Sequence, residues 1–442
     1  MIRARSWSVW ISAACLVVAV AGSTAHAQGL ILAGAGPVNR SMGGASTAAP
    51  LDATGALYWN PAGIGGLPAS ELDLGLELLY PRSTLSSAIP GGALGPGLPP
   101  GPVFGTTRDE VGVFPLPSGG FVYKPEGSRW TFGVGVFPTA GFGVNYPGSL
   151  TNPILSPPPP NGFGLGHVSS EYQLFQIAPT VSYQLTDKLF VGFAPIIDLA
   201  RLEVTPNVFV APDDANRDGV AHSPAATSTR NAWGGGFQAG VYYVASDAWR
   251  FGAAVRSPQW FEPFRFNAAD ELGRPRADRL RFESPLIVSA GAAFTGVERL
   301  TLATDVRYLN FRDMSGVRRA GFDPTGAATG LGWNDVFSAA LGAQYQLTDD
   351  LSVRLGYTYA TPLIPGRNAL FNVASPLTYQ HQVTAGASYR LTLCCTLSAA
   401  YCHIFYGSVT GPYLTPAGPI PGASVSTGTV VDSVIFGASV RF

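Results

Sequence analysis

The last thirteen residues, from Val430 to Phe442, form an alternating strand that stops on an aromatic. Val434, Phe436, Ala438, Val440 and Phe442 fall on one face, and Ser433, Gly437, Ser439 and Arg441 on the other. Side chains along a strand point to opposite faces with a period of two, so this segment makes a sheet that is apolar on one side and small or polar on the other. Such a strand suits a wall between lipid and water. The same design recurs upstream. In 336–347, Phe337, Ala339, Leu341, Ala343 and Tyr345 oppose Ser338, Gly342 and Gln344; in 350–360, Leu351, Val353, Leu355, Tyr357 and Tyr359 oppose Ser352, Arg354, Gly356 and Thr358. In 382–391, Val383, Ala385, Ala387, Tyr389 and Leu391 oppose Gln382, Thr384, Ser388 and Arg390.

Two kinds of connection alternate between the strands. Short polar turns fall at 126–128, 186–188, 246–248, 296–298 and 348–350, with a sixth near Leu393-Cys-Cys395. Long Gly/Pro-rich loops are expected near 81–117, 139–168, 204–230, 259–278, 313–333, 362–379 and 407–429. Bacterial barrels place short turns on the periplasmic side and long loops outside. Counting the segments predicts an all-β fold: a 14-stranded antiparallel transmembrane β-barrel over 70–442. A large soluble β-sandwich would need charged outer faces, which these strands lack.

The start of the chain sets the compartment. Arg3 and Arg5 form a basic n-region, an apolar stretch follows from Trp7 to about Ala21, and Ala25-His26-Ala27 reads as a cleavage site, so 1–27 is expected to be a signal peptide. Beyond it no apolar run approaches the roughly 18 residues that a spanning helix needs. Charged residues are only 12% of the chain, about half the usual share, while hydrophobic ones are 46%. A barrel with a lipid-facing band reconciles low charge with the lack of a helical span. The expected location is the outer membrane of a Gram-negative-type cell.

Residues 28–69 break the strand pattern, being small, Gly/Ala-rich and full of turns, yet they carry Leu57, Tyr58, Trp59, Ile64 and Leu67. Fourteen strands enclose a lumen too wide for wall side chains to fill. A compact apolar piece of this size is expected to be a plug inside the lumen rather than a disordered tail.

The segments Gly34-Ala-Gly-Pro-Val-Asn-Arg-Ser-Met-Gly-Gly-Ala-Ser-Thr-Ala48 and Asp52-Ala-Thr-Gly-Ala-Leu-Tyr-Trp-Asn-Pro-Ala-Gly63 resemble the hatch signature of the FadL-type outer-membrane transport family. Phe137-Pro-Thr-Ala-Gly-Phe-Gly143, Gly332-Trp-Asn-Asp-Val-Phe337, Leu341-Gly-Ala-Gln-Tyr345 and Arg354-Leu-Gly-Tyr-Thr-Tyr359 extend the resemblance over essentially the whole mature chain. That family takes up long-chain fatty acids and, in relatives, aromatic hydrocarbons. The resemblance implies a monomer closed by an N-terminal hatch. Ligand would be caught by outer loops, held in an apolar pocket, and released through a gap near a kinked third strand. It also implies that Asn60, Pro61 and Ala62 fix the chain reversal of the hatch.

Several residues are candidates for that chemistry. Pro138, Gly141 and Gly143 mark a break in the third strand, because Pro cannot donate to a ladder and Gly permits bulges. Among the inward charges Asp305, Arg307, Arg354, Arg390 and Arg441, the candidates for meeting a ligand carboxylate are Arg354 and Arg390. Phe104, Phe114, Phe163, Leu165 and Phe209 are candidates for a capture surface in the loops. Asp214-Ala-Asn-Arg-Asp-Gly219 resembles the start of a calcium loop but has Ala225 where the bidentate carboxylate belongs, so no metal is expected. No nucleotide or hydrolase motif stands out, so the chain is expected to be no enzyme and to use no cofactor. The expected partners are the lipid bilayer and a hydrophobic small molecule, with no nucleic acid. The competing readings are a polar-solute porin, an outer-membrane hydrolase, and a related barrel serving secretion or assembly.

Overall fold

The computed structural model of the chain describes residues 29–93, 101–226 and 231–442; the expected signal peptide lies outside them. The strands are β1 (Glu71–Ile89), β2 (Val103–Arg108), β3 (Phe114–Tyr123), β4 (Trp130–Tyr146), β5 (Val168–Gln184), β6 (Leu189–Thr205), β7 (Ala232–Val244), β8 (Trp249–Arg256), β9 (Trp260–Phe261), β10 (Phe264–Ala269), β11 (Pro275–Leu280), β12 (Leu286–Val297), β13 (Leu300–Asn310), β14 (Val336–Gln346), β15 (Leu351–Ala360), β16 (His381–Arg390), β17 (Cys395–Thr415) and β18 (Gly418–Arg441). Fourteen of them form a closed antiparallel barrel, with β2, β9, β10 and β11 as additions in the long connections. The barrel closes where β18 pairs antiparallel with β1, from Glu71 opposite Arg441 to Ala88 opposite Ser424. Closure leaves no edge, which a spanning sheet requires.

The alternation read from the terminal strand is realised. Phe436, Leu341 and Leu355 are exposed on the outer face, while Ser433, Ser338 and Arg354 are buried inside. Tyr123, Trp130, Tyr243, Trp249, Tyr345 and Tyr389 stand exposed beside the short turns, as an aromatic girdle at one interface would.

Four connections depart from the expected loops: β4 runs on to Tyr146, the stretch 259–278 holds β9 and most of a β10–β11 hairpin, and two others depart further. β1 runs on to Ile89 and is extended by β2, and the stretch 407–429 belongs to a long β17–β18 hairpin with register shifts after Ile404 and Pro412. These segments are rich in Gly, Ser, Thr and Pro, which hid their pairing. Cross-strand partners such as Ser86 with Thr106 and Thr410 with Ser426 supply the pattern that hydrophobicity does not.

Residues 29–69 fill the lumen. They include the short helices Pro37–Ser41 and Ala53–Trp59 and a 3-10 turn at Pro61–Gly66, and nearly every side chain among them is buried. Their hydrogen bonds reach strands all round the barrel. The Ala53 and Thr54 amides donate to Glu71 and Asp73 of β1 at 3.0 and 2.9 Å, favourable for carboxylates at a helix N-terminus. Ser46 and Thr47 amides donate to Asp305 of β13 at 2.9 and 3.0 Å, and Arg307 donates to that carboxylate and to the Gly44 carbonyl, both at 2.6 Å. The Thr358 hydroxyl of β15 donates to the Gly43 carbonyl at 2.6 Å. Arg307 also lies 3.7 Å from the centre of the Trp59 ring.

The wall makes room with glycine. A Cβ on Gly252 would stand 2.0 Å from the Thr47 carbonyl oxygen, and one on Gly356 would stand 2.1 Å from the Gly43 nitrogen. Only a residue without a side chain lets the plug lie so close.

Candidate functional site

The feature that sets this barrel apart from a plain pore begins in β4. Its residues 137–140 are buried four in a row, so neither face of the strand there meets lipid. A strand in the wall alternates; one that is buried on both faces has turned inward. β3 and β4 pair from Tyr123 opposite Phe132 up to Gly119 opposite Val136, and no further. On its other side β4 stays paired with β5 through Tyr146, with a register shift between Pro138 and Ala140. The expected break in the third strand is therefore a separation of two neighbours, and the strand itself continues.

The chemistry of the separation is legible in the residues. Pro115 and Pro117 of β3 and Pro138 of β4 have no N–H to offer across the seam. The inward-turned backbone finds its partner in the plug instead. The Leu32 amide donates to the Thr139 carbonyl at 2.9 Å, Ile31 bridges Ala140, and the Tyr58 hydroxyl donates to the Leu32 carbonyl at 2.9 Å. Phe137 packs edge-on against Tyr58 at 5.0 Å between ring centres. Above the gap the wall is resealed: the Glu110 amide donates to the Asn145 carbonyl at 2.9 Å, and the Asn145 amide donates to Asp109 Oδ1 at 2.7 Å.

A cavity of about 100 Å³ occupies this place. Its lining joins Ile31 and Leu32 of the plug, the inward Leu116, Tyr172 and Leu174, and Pro138 at the seam. Gln173 and Phe175, which alternate to the outer face of β5, line it too. The cavity thus runs from the plug into the thickness of the wall.

A second cavity of about 290 Å³ lies among the long loops, lined by Phe163, Leu165, Phe209, Phe282, Leu370 and Phe371 with others. Phe142 lines both cavities and stacks on Tyr172 at 5.4 Å. It forms the partition between the upper and lower spaces.

The candidate residues fall as follows. Asn60, Pro61 and Ala62 lie at the entry to the 3-10 turn; Asn60 Nδ2 donates to the Thr47 and Val241 carbonyls at 2.8 and 2.9 Å, and Asn60 Oδ1 accepts from the Ala62 amide at 3.1 Å. Pro138, Gly141 and Gly143 all line the lower cavity. Phe163, Leu165 and Phe209 line the upper one, Phe114 lines the lower, and Phe104 is exposed on β2 and lines neither.

Arg354 and Arg390 line neither cavity. Arg354 is bound to Gln344 and Ser388 at 2.7 Å each, and Arg390 is paired with Asp350 at a short turn. The inward Asp305 and Arg307 hold the plug, and Arg441 pairs with Glu71. The cation that does line the lower cavity is Arg40, from the plug itself. Alternation rules applied to wall strands pass over it, because its helix lies outside the wall. The alternate prolines 115 and 117 were the signal in the sequence for the gap.

The model of the outer membrane protein transport protein family (OMPP1/FadL/TodX) matches residues 17–442. The chain belongs to this family. FadL-type members are transport channels of the outer membrane and carry no enzymatic activity. The fold is similar to that of the Pseudomonas putida toluene transporter TodX, at 20% identity over 93% of this chain and 99% of that one, with a TM-score of 0.65. A Pseudomonas aeruginosa FadL homologue gives 15% identity over 94% and 100% of the two chains, with a TM-score of 0.68. The Ralstonia pickettii toluene transporter TbuX gives 20%, 93%, 99% and 0.65 in the same order. No curated protein matches the sequence closely enough to count as a relative.

Proposed function

We propose that this member of the FadL/TodX family moves hydrophobic small molecules passively and releases them sideways, through the β3–β4 gap. The cavity that joins the plug to the outer face of β5 is the observation that carries the reading. An apolar solute is captured among Phe163, Leu165 and Phe209, passes Phe142, and enters the lower cavity against Ile31 and Leu32. The plug blocks the axial route, and burial of apolar surface makes lipid the better destination: each methylene kept from water is worth about 0.8 kcal/mol. Flux follows the gradient, since no energy-coupling site is required for a downhill step.

Asn60, Pro61 and Ala62 fix the plug against β7, and Pro138, Gly141 and Gly143 give the seam its shape. The two relatives named as toluene transporters support a hydrophobic cargo for this architecture. The protein works as a monomer in the bilayer.

Giving back the missing donors tests the route. In Pro115→Thr/Pro117→Thr/Pro138→Val the seam can pair. Uptake of a labelled hydrophobic solute by cells is expected to fall to that of cells lacking the barrel, while the barrel remains heat-modifiable on gels. Uptake equal to the parent protein contradicts lateral release.

A further inference from the structure

The wall made by β15, β16, β17, β18 and β1 changes character at one height on its outer face. Up β1 from the short-turn end, Leu72, Leu74, Leu76 and Leu78 face out, followed by Tyr80 and Arg82. A tilted strand crosses the hydrocarbon in about 9–11 residues. Arg82 is the eleventh residue from Leu72, and Asp432 the eleventh back from Phe442 along β18, so both stand where acyl chains give way to head groups. This end of the strands carries the long loops, which places the row in the outer leaflet. Asp432 lies opposite Tyr80 on β1 and opposite His403 on β17. His381 on β16 sits one outward position above Val383, the partner of His403.

One carboxylate organises the row. Asp432 accepts from His403 Nδ1 at 2.7 Å and from the Tyr401 hydroxyl at 2.5 Å, and Arg82 donates to its other oxygen. The Arg82 side chain is nevertheless 50% exposed, so Asp432 holds the guanidinium without covering it. His381 is bound through Nδ1 to the Tyr357 hydroxyl and lies 5.6 Å from the rings of both Tyr357 and Tyr359. On two other walls carboxylates match or outnumber the cation. Arg201 pairs with Glu203, which faces Glu171 across β5 and β6, and Arg312 pairs with Asp335. Here one carboxylate faces an arginine and two imidazoles.

We propose that this face binds a phosphorylated glycolipid of the outer leaflet, with Arg82, His403 and His381 turned to its phosphate. The planar donors of arginine suit phosphate oxygens, and imidazoles gain charge beside an anion. Tyr80, Tyr401 and Tyr406 set rings and hydroxyls at head-group level, as interfacial aromatic residues do. The acyl chains of the same lipid lie lower on the wall, against Leu76, Leu78, Val434 and Phe436. Because Asp432 already orients its neighbours, little side-chain freedom is lost on binding. None of these side chains lines the upper or lower cavity, so the surface is separate from the transport route.

Binding of lipid A to the purified full-length barrel in a sugar detergent, read by native mass spectrometry, tests this. The bisphosphorylated lipid is expected to bind about tenfold more tightly than the same lipid stripped of both phosphates, as charge-assisted hydrogen bonds require. Arg82→Gln should weaken binding of the bisphosphorylated form severalfold, and Arg82→Gln/His381→Gln further. Arg201→Gln, on the β5–β6 wall, should leave it unchanged. These substitutions lie on the outer surface, and each variant is first checked for the heat-modifiable migration of an intact barrel. Equal binding of the two lipid A forms, undiminished affinity in Arg82→Gln, or an equal loss in Arg201→Gln overturns the site. Phosphatidylglycerol binding as tightly as lipid A overturns the glycolipid as its occupant. Each of these results leaves lateral release standing.

Discussion

Asn60 shows how one side chain holds a mobile-looking segment in place. Its amide serves two carbonyls, one on the plug and one on β7, and its oxygen takes the Ala62 amide; the two bonds within the plug are buried and the one to β7 is part-buried. Asn60→Ala strips a partner from the buried Thr47 carbonyl, from the part-buried Val241 carbonyl and from the Ala62 N–H. The expected cost is about 3 kcal/mol, read as a lower urea midpoint on tryptophan fluorescence in detergent, accompanied by rising ion conductance in planar bilayers as the plug loosens. An unchanged midpoint with unchanged conductance would show that the Asn60 bonds do not hold the plug. The residue scale is also where reading the sequence met its limit. Wall alternation placed Asp305, Arg307, Arg354 and Arg441 correctly on the inner side, because a period of two is a local property. Which of them meets a cavity is not local. Arg390 is taken up by Asp350 forty residues away in sequence order, and Arg40 reaches the lower cavity only because the plug folds beneath it.

At the scale of elements, the decisive object is the seam between β3 and β4. Three prolines deprive it of donors, and the plug supplies the bonds that β3 gives up. The seam and the plug are therefore coupled through the Leu32–Thr139 hydrogen bond. Leu32→Pro removes that donor. Amide exchange at residues 140–143 is then expected to speed up while residues 132–135, paired with β3 on one side and β5 on the other, keep their protection. Equal protection in both stretches before and after the change would show that the plug does not support the kink. Short turns and paired strands were legible, since Asp, Gly, Ser and Thr cluster at each reversal. The extended β1–β2 and β17–β18 arms were not. Their Ser, Thr and Gly content reads as loop, and only cross-strand partners reveal a ladder.

The whole molecule is a cylinder with its apolar surface outside and its polar and charged groups turned inward onto a plug. Closure follows from the medium, because no backbone group facing hydrocarbon can be left unpaired. The seam above Gly119 and Val136, where the pairing of β3 with β4 stops, is covered from within by residues 31 and 32 and resealed above by Asp109, Glu110 and Asn145. Strand number and the existence of a plug were legible from segment counting and from the apolar payload of 57–67. The proposed side opening was expected near the third strand from the resemblance and from Pro138, Gly141 and Gly143; the cavity that joins the plug to the seam was not, because it arises where two strands and the plug meet.

The proposed lateral route is open to direct measurement. Intact cells bearing the barrel are given a long-chain alkyl diazirine, irradiated, and the labelled residues are mapped by mass spectrometry. Lateral transit predicts adducts on Leu116, Pro138 and Phe175, the residues that carry the lower cavity from the plug to the outer face. Labelling that bypasses these three and falls on inward residues below the plug, such as Lys124 and Arg250, would contradict it and place the path along the barrel axis.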